Sequence, residues 1–308
     1  MTHPVATAAD RDWRLRPERG NARITKLMVW ISLHLGRPAG RFLLHGIAAY
    51  FLAAVPAARR ASGDYLRRVL QRAPTLGERY RHFFYFAATI HDRIYLLNER
   101  FDLFRINIVG DDIIRRHIDA GNGVLLMGAH LGSFEVMHAM ARHRTELRVS
   151  MVMYEENARQ LGAILAAINP TASQDIVPLG HVDSMLQVRD RLDAGHLVGI
   201  LSDRDLGSGP TSDYEFLGAP APFPLGPFRM AAMLRRPVVF MTGLYLGDNR
   251  YELHFEQLAD FSNVERTERN QAILHAQRNY ADRLAHFCRL APCNWFNFFD
   301  FWQSAKRH

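Results

Sequence analysis

A histidine and a glutamate five positions apart give the chain's most specific chemical signal. His130 ends the apolar run 123–130, and Glu135 lies about one helical turn into the segment that follows. A carboxylate so placed can hold an imidazole in one tautomer and stabilise the imidazolium once it has taken a proton. The pair could therefore act as a general base that activates a hydroxyl group. A half-buried histidine with a purely structural role is the alternative that spacing alone leaves open.

Small residues around His130 strengthen the catalytic interpretation, but on the residues alone a satisfied, half-buried histidine remains the preferred one. Gly128, Ala129 and Gly132 leave space for a substrate beside the imidazole, and Ser133 can cap the following helix. The sequence contains no G-x-S-x-G nucleophile elbow, no Walker A loop and no G-x-G-x-x-G loop after a strand. Base catalysis by a histidine, without a protein nucleophile, is therefore the chemistry that the residues favour.

The elements that must position this pair alternate between strands and helices after Gly110. Apolar runs predict strands over 123–130, 147–154, 175–179 and 196–203, with helices over about 157–168 and 182–193. A turn at 247–249 predicts a hairpin of strands 237–245 and 250–258, and a helix over about 265–289 follows. The preceding segment, 82–118, has helical spacing. We predict an α/β fold with a mostly parallel central sheet flanked by helices.

Two predicted strands end in polar residues. Ligands of open α/β sheets bind at the carboxyl ends of the strands, where His130 follows one strand and Asp203 and Arg204 follow another. A salt-bridge role for Arg204 beside its acidic neighbours is the alternative. Cys288 and Cys293 fall in or just after the long helix, where we expect buried, unreactive thiols. The two cysteines have no zinc-site spacing, and no metal is predicted.

Basic charge and the longest apolar runs coincide in the first quarter of the chain. Residues 1–81 carry fifteen Lys and Arg against five Asp and Glu, whereas the rest carries 23 against 26. The apolar runs 27–35 and 42–55 are separated by Arg37, Pro38 and Arg41, and each is shorter than the roughly 20 residues of a spanning helix. We therefore predict a basic helical hairpin at residues 1–81 that lies on an anionic membrane surface, attached to an α/β domain at 82–308.

Two other uses of the basic quarter were weighed against the membrane. A helical subdomain packed on the core, with a solvated basic face, remains an alternative. Nucleic acid is not an expected partner, because the sequence has neither a recognition motif nor an aromatic platform for bases.

The block GVLLMGAHLGSFE (123–135) resembles the His-x4-Asp/Glu block of the lysophospholipid acyltransferase-like superfamily. The likeness is closer to its bacterial lipid A biosynthesis branch, and closest to acyltransferases of aryl-polyene and pigment-lipid gene clusters. It continues through GILSDRD (199–205), FLGAPAPFPLGPFRMAAMLRRPVVF (216–240) and NWFNFFDFW (294–302). These four ordered blocks extend over most of the chain.

The resemblance implies transfer of a fatty or polyenoic acyl group from an acyl carrier protein or coenzyme A thioester to a hydroxyl of a lipid-linked acceptor. His130 would be the base and Glu135 its partner, with neither cofactor nor covalent enzyme intermediate. Backbone N–H groups near Gly128 or Gly132, or the Arg204 guanidinium, are candidate donors to the oxyanion. The residues expected to bind substrate are Gly132, Ser133, Asp203, Arg204, Phe216, Gly218 and Gly226.

The implied setting is the cytoplasmic face of a bacterial inner membrane, with the protein peripheral or monotopic. An N-acyltransferase acting on an amino-acid lipid is an alternative, because the same base can activate an amine. A non-catalytic scaffold that binds lipid or carrier protein is the alternative outside enzymes. The C-terminal aromatic block is expected to pack in the core, with the lining of an acyl-chain groove as its functional alternative.

Overall fold

The chain is helical at first and then alternates strands with helices. The computed structural model describes residues 22–121, 123–137, 148–154, 168, 175–180, 183–204 and 209–302, with side chains from Trp30 onward. The helices are α1 (Ala22–Ala54), α2 (Pro56–Leu70), α3 (Leu76–Leu97), α4 (Asp111–Asp119), α5 (Ser184–Asp193), α6 (Gly226–Met233) and α7 (Arg269–Leu290). The strands are β1 (Arg105–Val109), β2 (Val124–Gly128), β3 (Val149–Tyr154), β4 (Asp175–Leu179), β5 (Leu197–Leu201), β6 (Thr211–Phe216), β7 (Ala219–Pro224), β8 (Pro237–Tyr245) and β9 (Arg250–Asp260).

Seven strands form a central sheet in the order β1-β9-β8-β2-β5-β3-β4. Every neighbouring pair is parallel except the hairpin of β8 and β9. The predicted α/β class is therefore confirmed, as are the four strands predicted from apolar runs and the two strands of the hairpin. The predicted helix 157–168 lies outside the described residues, apart from its last residue.

Side chains of the central strand alternate between two apolar layers. Leu125 and Met127 of β2 join a cluster with α7 and the β6–β7 hairpin, whereas Leu126 joins a cluster with α3 on the other face. The two-residue period of a strand produces this division, so that both faces of the sheet are covered. The polar residues that follow β2 and β5 are thus held at the end of a sheet that is buried on both faces.

Two strand features were not predicted. β1 lies inside the segment 82–118 that was expected to be helical, and its alternating pattern of exposed and half-buried residues belongs to an edge strand. β6 and β7 form a separate antiparallel pair. β7 has prolines at 220, 222 and 224, which argue against a strand within a large sheet because they donate no ladder bonds, but a strand with only one neighbour tolerates them.

The two predicted apolar helical segments of the N-terminal quarter lie on either side of a kink in α1. Both apolar runs belong to α1, whose helical geometry is broken at Gly36 with φ of 82°, two residues before Pro38. A bend of 94° lies between α1 and α2. The hairpin and its placement on a membrane stay predictions. No single described helix is long and apolar enough to span a membrane, although the segments Trp30–Ala54 and Pro56–Leu70 meet that criterion as a bent pair.

An ion-pair network fastens α1 to α3. Arg37 and Arg41 lie 2.9 and 2.5 Å from the fully buried carboxylate of Asp92, which also accepts a hydrogen bond from the Tyr251 hydroxyl. Arg37 and Arg41 belong to the basic segment predicted to lie on a membrane, but their side chains are only 16% and 14% exposed. The predicted boundary between residues 81 and 82 falls within α3, and the division into two domains stays a prediction.

Candidate active site

Two adjacent strand ends bring the predicted polar residues together. β2 and β5 are parallel neighbours, and Gly128 at the end of β2 pairs with Leu201 at the end of β5. His130 lies two residues beyond the first strand and Asp203 two residues beyond the second. The same register that pairs the strands therefore places the two side chains side by side at the carboxyl edge of the sheet.

Asp203 is the carboxylate that contacts His130. Its Oδ1 lies 2.8 Å from His130 Nδ1, and its Oδ2 accepts a hydrogen bond of 3.1 Å from the His130 backbone N–H. The indole N–H of Trp295 donates to the same Oδ2 at 3.0 Å. We call His130, Asp203 and Trp295 the carboxyl-end cluster.

The electrostatics of this cluster leave His130 neutral and Asp203 charged. Burial of Asp203 opposes its ionisation, but the adjacent His130, Arg204 and the Trp295 N–H together hold the pKa of this carboxyl well below its usual range. Burial and the Arg204 charge lower the pKa of His130, against the opposing effect of Asp203 and Glu135. Because an ionised Asp203 can only accept, Nδ1 of His130 carries the proton and Nε2 is left as the basic nitrogen.

Glu135 contacts another group, which corrects the predicted pairing. Its Oε1 lies 2.6 Å from the guanidinium of Arg93 on α3, and its Oε2 accepts a hydrogen bond of 3.3 Å from the Ser133 hydroxyl. The spacing of five residues brings Glu135 near enough to influence His130 electrostatically, but Nδ1 is already bound to Asp203. A carboxylate from the neighbouring strand thus takes the place expected of the local one.

The backbone around Gly132 is clamped against two other segments. The N–H of Gly132 donates to Asn294 O and the N–H of Ser133 donates to Gly243 O, at 2.8 and 2.7 Å. Gly132 has φ of 72°, and a Cβ there would lie 1.9 Å from Gly243 O, so that only glycine fits. The Gly132 N–H, a candidate donor to the oxyanion, therefore donates to Asn294 O in the structure.

Arg204 lies beside the carboxyl-end cluster. Its guanidinium donates to Phe296 O at 3.0 Å and stacks over the ring of Phe299, 5.2 Å from the ring centre. Its charge contributes to the lowered pKa of His130. The expected position of Arg204 near the base is thus observed, whereas its role toward a substrate stays a prediction.

Three other predicted substrate-binding residues occupy different surroundings. Phe216 is fully buried, with its ring packed 5.2 Å from that of Trp295. Gly218 forms the turn between β6 and β7 with φ of 84°, and Gly226 begins α6. Among the described contacts none joins Gly218 or Gly226 to His130, and the binding roles of all three residues stay predictions.

A second histidine–aspartate group lies at the opposite edge of the sheet. Ser150, Asp175 and His196 are at or near the amino ends of β3, β4 and β5. The Ser150 hydroxyl lies 2.8 Å from His196 Nδ1 and donates to Asp175 at 2.7 Å, while Arg191 lies 2.6 Å from the same carboxylate. We call these four residues the amino-end cluster. The Ser150 hydroxyl directs its proton to the Asp175 carboxylate and not to the His196 ring. This arrangement does not suit nucleophilic catalysis, in which the imidazole must take the serine proton.

The family comparison agrees with the four blocks of the sequence. The sequence model described as bacterial lipid A biosynthesis acyltransferase matches residues 24–304. The chain belongs to this family. It is therefore an acyltransferase, whose reaction requires an acyl donor and a lipid acceptor. A comparison with curated proteins found no match.

One residue of this acyltransferase site was missed, and the two thiols were foreseen. Trp295 lies in the aromatic block predicted to pack in the core, and its ring is buried, but its N–H binds Asp203. The signal available was a buried tryptophan, whose indole N–H needs an acceptor. Cys288 and Cys293 are free and buried as predicted, and burial raises the pKa of both thiols, that of Cys293 to about 11.

Proposed function

We propose that this acyltransferase moves an acyl group from a carrier-protein or coenzyme A thioester to a hydroxyl of a lipid acceptor, with His130 as general base. The single observation that carries the proposal is the pairing of His130 Nδ1 with the charged carboxylate of Asp203 at 2.8 Å. This pairing orients the ring, leaves Nε2 basic, and stabilises the imidazolium that forms when Nε2 takes a proton. A scaffold has no need of such an arrangement.

The reaction proceeds without a covalent enzyme intermediate. His130 Nε2 takes the proton of the acceptor hydroxyl while the hydroxyl oxygen forms a bond to the thioester carbonyl carbon. Collapse of the tetrahedral intermediate breaks the carbon–sulfur bond, and the imidazolium returns its proton to the departing thiolate. The products are an acyl ester and a free thiol. Glu135 adds negative charge near the ring and, through Arg93, fixes the start of the segment that follows the base.

Arg204 is the favoured group for stabilising the oxyanion. It combines a fixed positive charge with a position close enough to His130 to lower its pKa, and Phe296 O and the Phe299 ring hold its guanidinium. A preorganised charge in a partly dry site stabilises a developing oxyanion more strongly than one in water.

The test is a comparison of cellular lipids by mass spectrometry, with the rest of the native pathway present. Cells expressing the wild type are expected to contain a lipid heavier than its precursor by one acyl group, and cells expressing His130→Ala are expected to lack it. His196→Ala, which removes the histidine of the amino-end cluster, is the matched control and should retain the product. Product formation by His130→Ala would exclude the proposed base, while identical precursor-only profiles would turn the interpretation towards a scaffold.

We also propose that α1 holds the protein on the cytoplasmic face of the inner membrane. Large apolar side chains along α1 are exposed, among them Phe42 at 77%, Leu35 at 62% and Tyr50 at 59%. Arg59, Arg60 and Arg67 on α2 are exposed nearby in sequence, and basic residues attract anionic lipid headgroups. The same arginines could steer an acidic carrier protein to the enzyme.

Vesicle binding tests this orientation. Phe42→Glu is expected to weaken sedimentation with vesicles containing anionic phospholipid about tenfold or more, because a charge replaces an inserted ring. Met233→Glu, at another exposed apolar residue on α6, is the control and should bind as the wild type does. Equal losses in both variants would contradict a membrane surface centred on α1.

A further inference from the structure

A chain of hydrogen bonds leads from the N-terminal helices to the base. His82, on α3, is fully buried, and its Nε2 lies 2.8 Å from Trp295 O. Since a carbonyl only accepts, Nε2 carries the proton and Nδ1 accepts from the Ser62 hydroxyl of α2 at 2.8 Å. Trp295 then donates its indole N–H to Asp203, which binds His130.

The two residues that flank Trp295 are hydrogen-bonded to the loop that carries His130. Asn294 O accepts from the N–H of Gly132, and Phe296 N–H donates to His130 O, both at 2.8 Å. Between them, Trp295 O is held by His82 and by the N–H of Asn297. A shift of Trp295 would therefore disturb both the hydrogen bond to Asp203 and the backbone of the base.

His82 is suited to hold this segment but not to exchange protons with it. Burial lowers its pKa to about 4, against the opposing effect of its bond to Trp295 O, so that it stays neutral near pH 7. Its ring stacks on Phe298, 4.7 Å from centre to centre, which restrains it further. The group thus supplies a fixed donor in a place that water cannot reach.

We propose that His82 and Trp295 are positioning residues, which set the orientation and charge of Asp203 and thereby the basicity of His130. This inference rests on the proposed function of His130. The indole N–H draws carboxylate charge away from the imidazole, and His82 keeps the indole in place. Removing either contact should leave Asp203 freer to stabilise the imidazolium. The other charged groups facing His130, Arg204 and Glu135, are unchanged by such a substitution.

The direct test is an NMR titration of the His130 ring in the full chain in detergent micelles, with its signal assigned by loss in His130→Gln. In Trp295→Phe, which keeps an aromatic ring but removes the N–H, the pKa of His130 should rise by about half a unit or more. Product formation should fall about tenfold or more, as for loss of a hydrogen bond to a charged group. Trp302→Phe is the matched control, because its indole N–H donates to Phe216 O and not to Asp203.

Variants of His82 test the second part of the inference. His82→Leu should move the pKa of His130 in the same direction as Trp295→Phe, and His82→Gln, which retains a donor for Trp295 O, should restore the wild-type value. The control for loss of a buried histidine is His91→Leu, since His91 lies on the same helix but binds Ser32. Asn297 still donates to Trp295 O when His82 is replaced, which favours retention of the fold.

The outcomes distinguish the positioning roles of Trp295 and His82 from the role of His130 as base. An unchanged titration of His130 in folded Trp295→Phe overturns the inference and leaves the proposed base intact. A shift in Trp295→Phe but none in His82→Leu removes His82 alone. Should either variant fail to fold, His82→Phe against His91→Phe supplies the same titration, because phenylalanine keeps an aromatic ring but removes the donor to Trp295 O. A shifted pKa together with a fully active His130→Ala would instead exclude the proposed function while keeping the positioning chain.

Discussion

The two histidine–aspartate clusters at opposite edges of the sheet contain similar groups with different connections. In the carboxyl-end cluster the carboxylate binds the imidazole directly, and its second oxygen is held by two N–H donors. In the amino-end cluster the serine hydroxyl intervenes between the carboxylate and the His196 ring, and Arg191 neutralises Asp175. Only in the first arrangement does the carboxylate accept a hydrogen bond from the imidazole, whereas Asp175 lies 3.6 Å from His196 Nδ1 and raises the pKa of that ring through its charge, against the larger effect of burial.

The difference shows that residue types alone do not identify a catalytic site. Ser150, Asp175 and His196 form a serine–aspartate–histidine set by composition, yet the donor and acceptor directions suit an anchor between three strands. His130 and Asp203 lack a serine nucleophile, yet their geometry suits base catalysis at the edge where α/β sheets bind ligands. Hydrogen-bond direction and the position in the sheet therefore distinguish the two clusters.

Exchanging each aspartate for asparagine should produce the largest contrast between the clusters. Asp203→Asn is expected to lower kcat by about a hundredfold or more, because the carboxylate that orients the imidazole and stabilises its protonated form is lost. It should also lower the pKa of His130 further, since Asp203 now raises it, and move the acid limb of the kcat/KM profile to lower pH. Kinetics across pH 5–8 with purified enzyme measure both effects.

Asp175→Asn is the matched control for this contrast. It should leave kcat within about twofold and lower the free energy of unfolding by about 1 kcal/mol or less, as expected for a partly exposed ion pair. A large loss of kcat in Asp175→Asn, or none in Asp203→Asn, would reverse the assignment of the two clusters.

A smaller effect is expected at the carboxylate that lacks direct contact with the base. Glu135→Gln should lower kcat about tenfold, because charge near His130 is lost while Asp203 still holds the ring. The control is Arg93→Gln, which leaves Glu135 charged and should lower kcat less than Glu135→Gln does. Steady-state kinetics at pH 7.5 give the comparison, and a loss in Glu135→Gln greater than that in Asp203→Asn would restore Glu135 as the principal partner.

Acid should destabilise the fold through two buried histidines of α3. Burial lowers the pKa of His82 to about 4 and that of His91 to about 3, both below the value of 6.5 expected in an unfolded chain. The unfolded state therefore binds more protons below pH 6.5, and stability falls as the pH drops from there towards 4. The free energy of unfolding should fall by about 2 kcal/mol between pH 7 and 5.5, as measured by urea denaturation.

Replacement of one buried histidine separates its contribution to this acid sensitivity. His82→Gln should be less stable than the wild type at pH 7 but should lose less stability on acidification, because one of the two groups no longer titrates. If the free energy of unfolding of His82→Gln depends on pH as that of the wild type does, a group other than His82 takes up the proton.

The strands that carry the site were easier to predict than the carboxylate that binds His130. Apolar runs and their spacing identified β2 and β5, and the rule for parallel sheets placed His130 and Asp203 at the same edge. Glu135 was preferred as partner because it is local in sequence, and nothing in one sequence revealed that Arg93 on α3 would bind it. The register between β2 and β5, which decides the contact, depends on packing across the whole sheet.

Long-range polar contacts were the least predictable. Trp295 and His82 lie 92 and 121 residues from Asp203 in the sequence. Trp295 belongs to the aromatic block predicted to pack in the core, and no sequence pattern singled out His82. Similarly, Arg37 and Arg41 belong to the segment predicted to lie on a membrane, whereas both pair with the buried Asp92 in the structure. Periodicity indicates which face of an element is apolar, but it does not pair polar groups that the fold buries.

The burial of both cysteines has a practical consequence for spectroscopy. Cys288 and Cys293 are enclosed, and the raised pKa of each thiol leaves little reactive thiolate near neutral pH. Because the sequence contains no other cysteine, a single cysteine introduced at an exposed residue such as Phe42 could be labelled selectively in the otherwise native chain. An environment-sensitive fluorophore attached there would report when α1 meets lipid, without first removing the natural thiols.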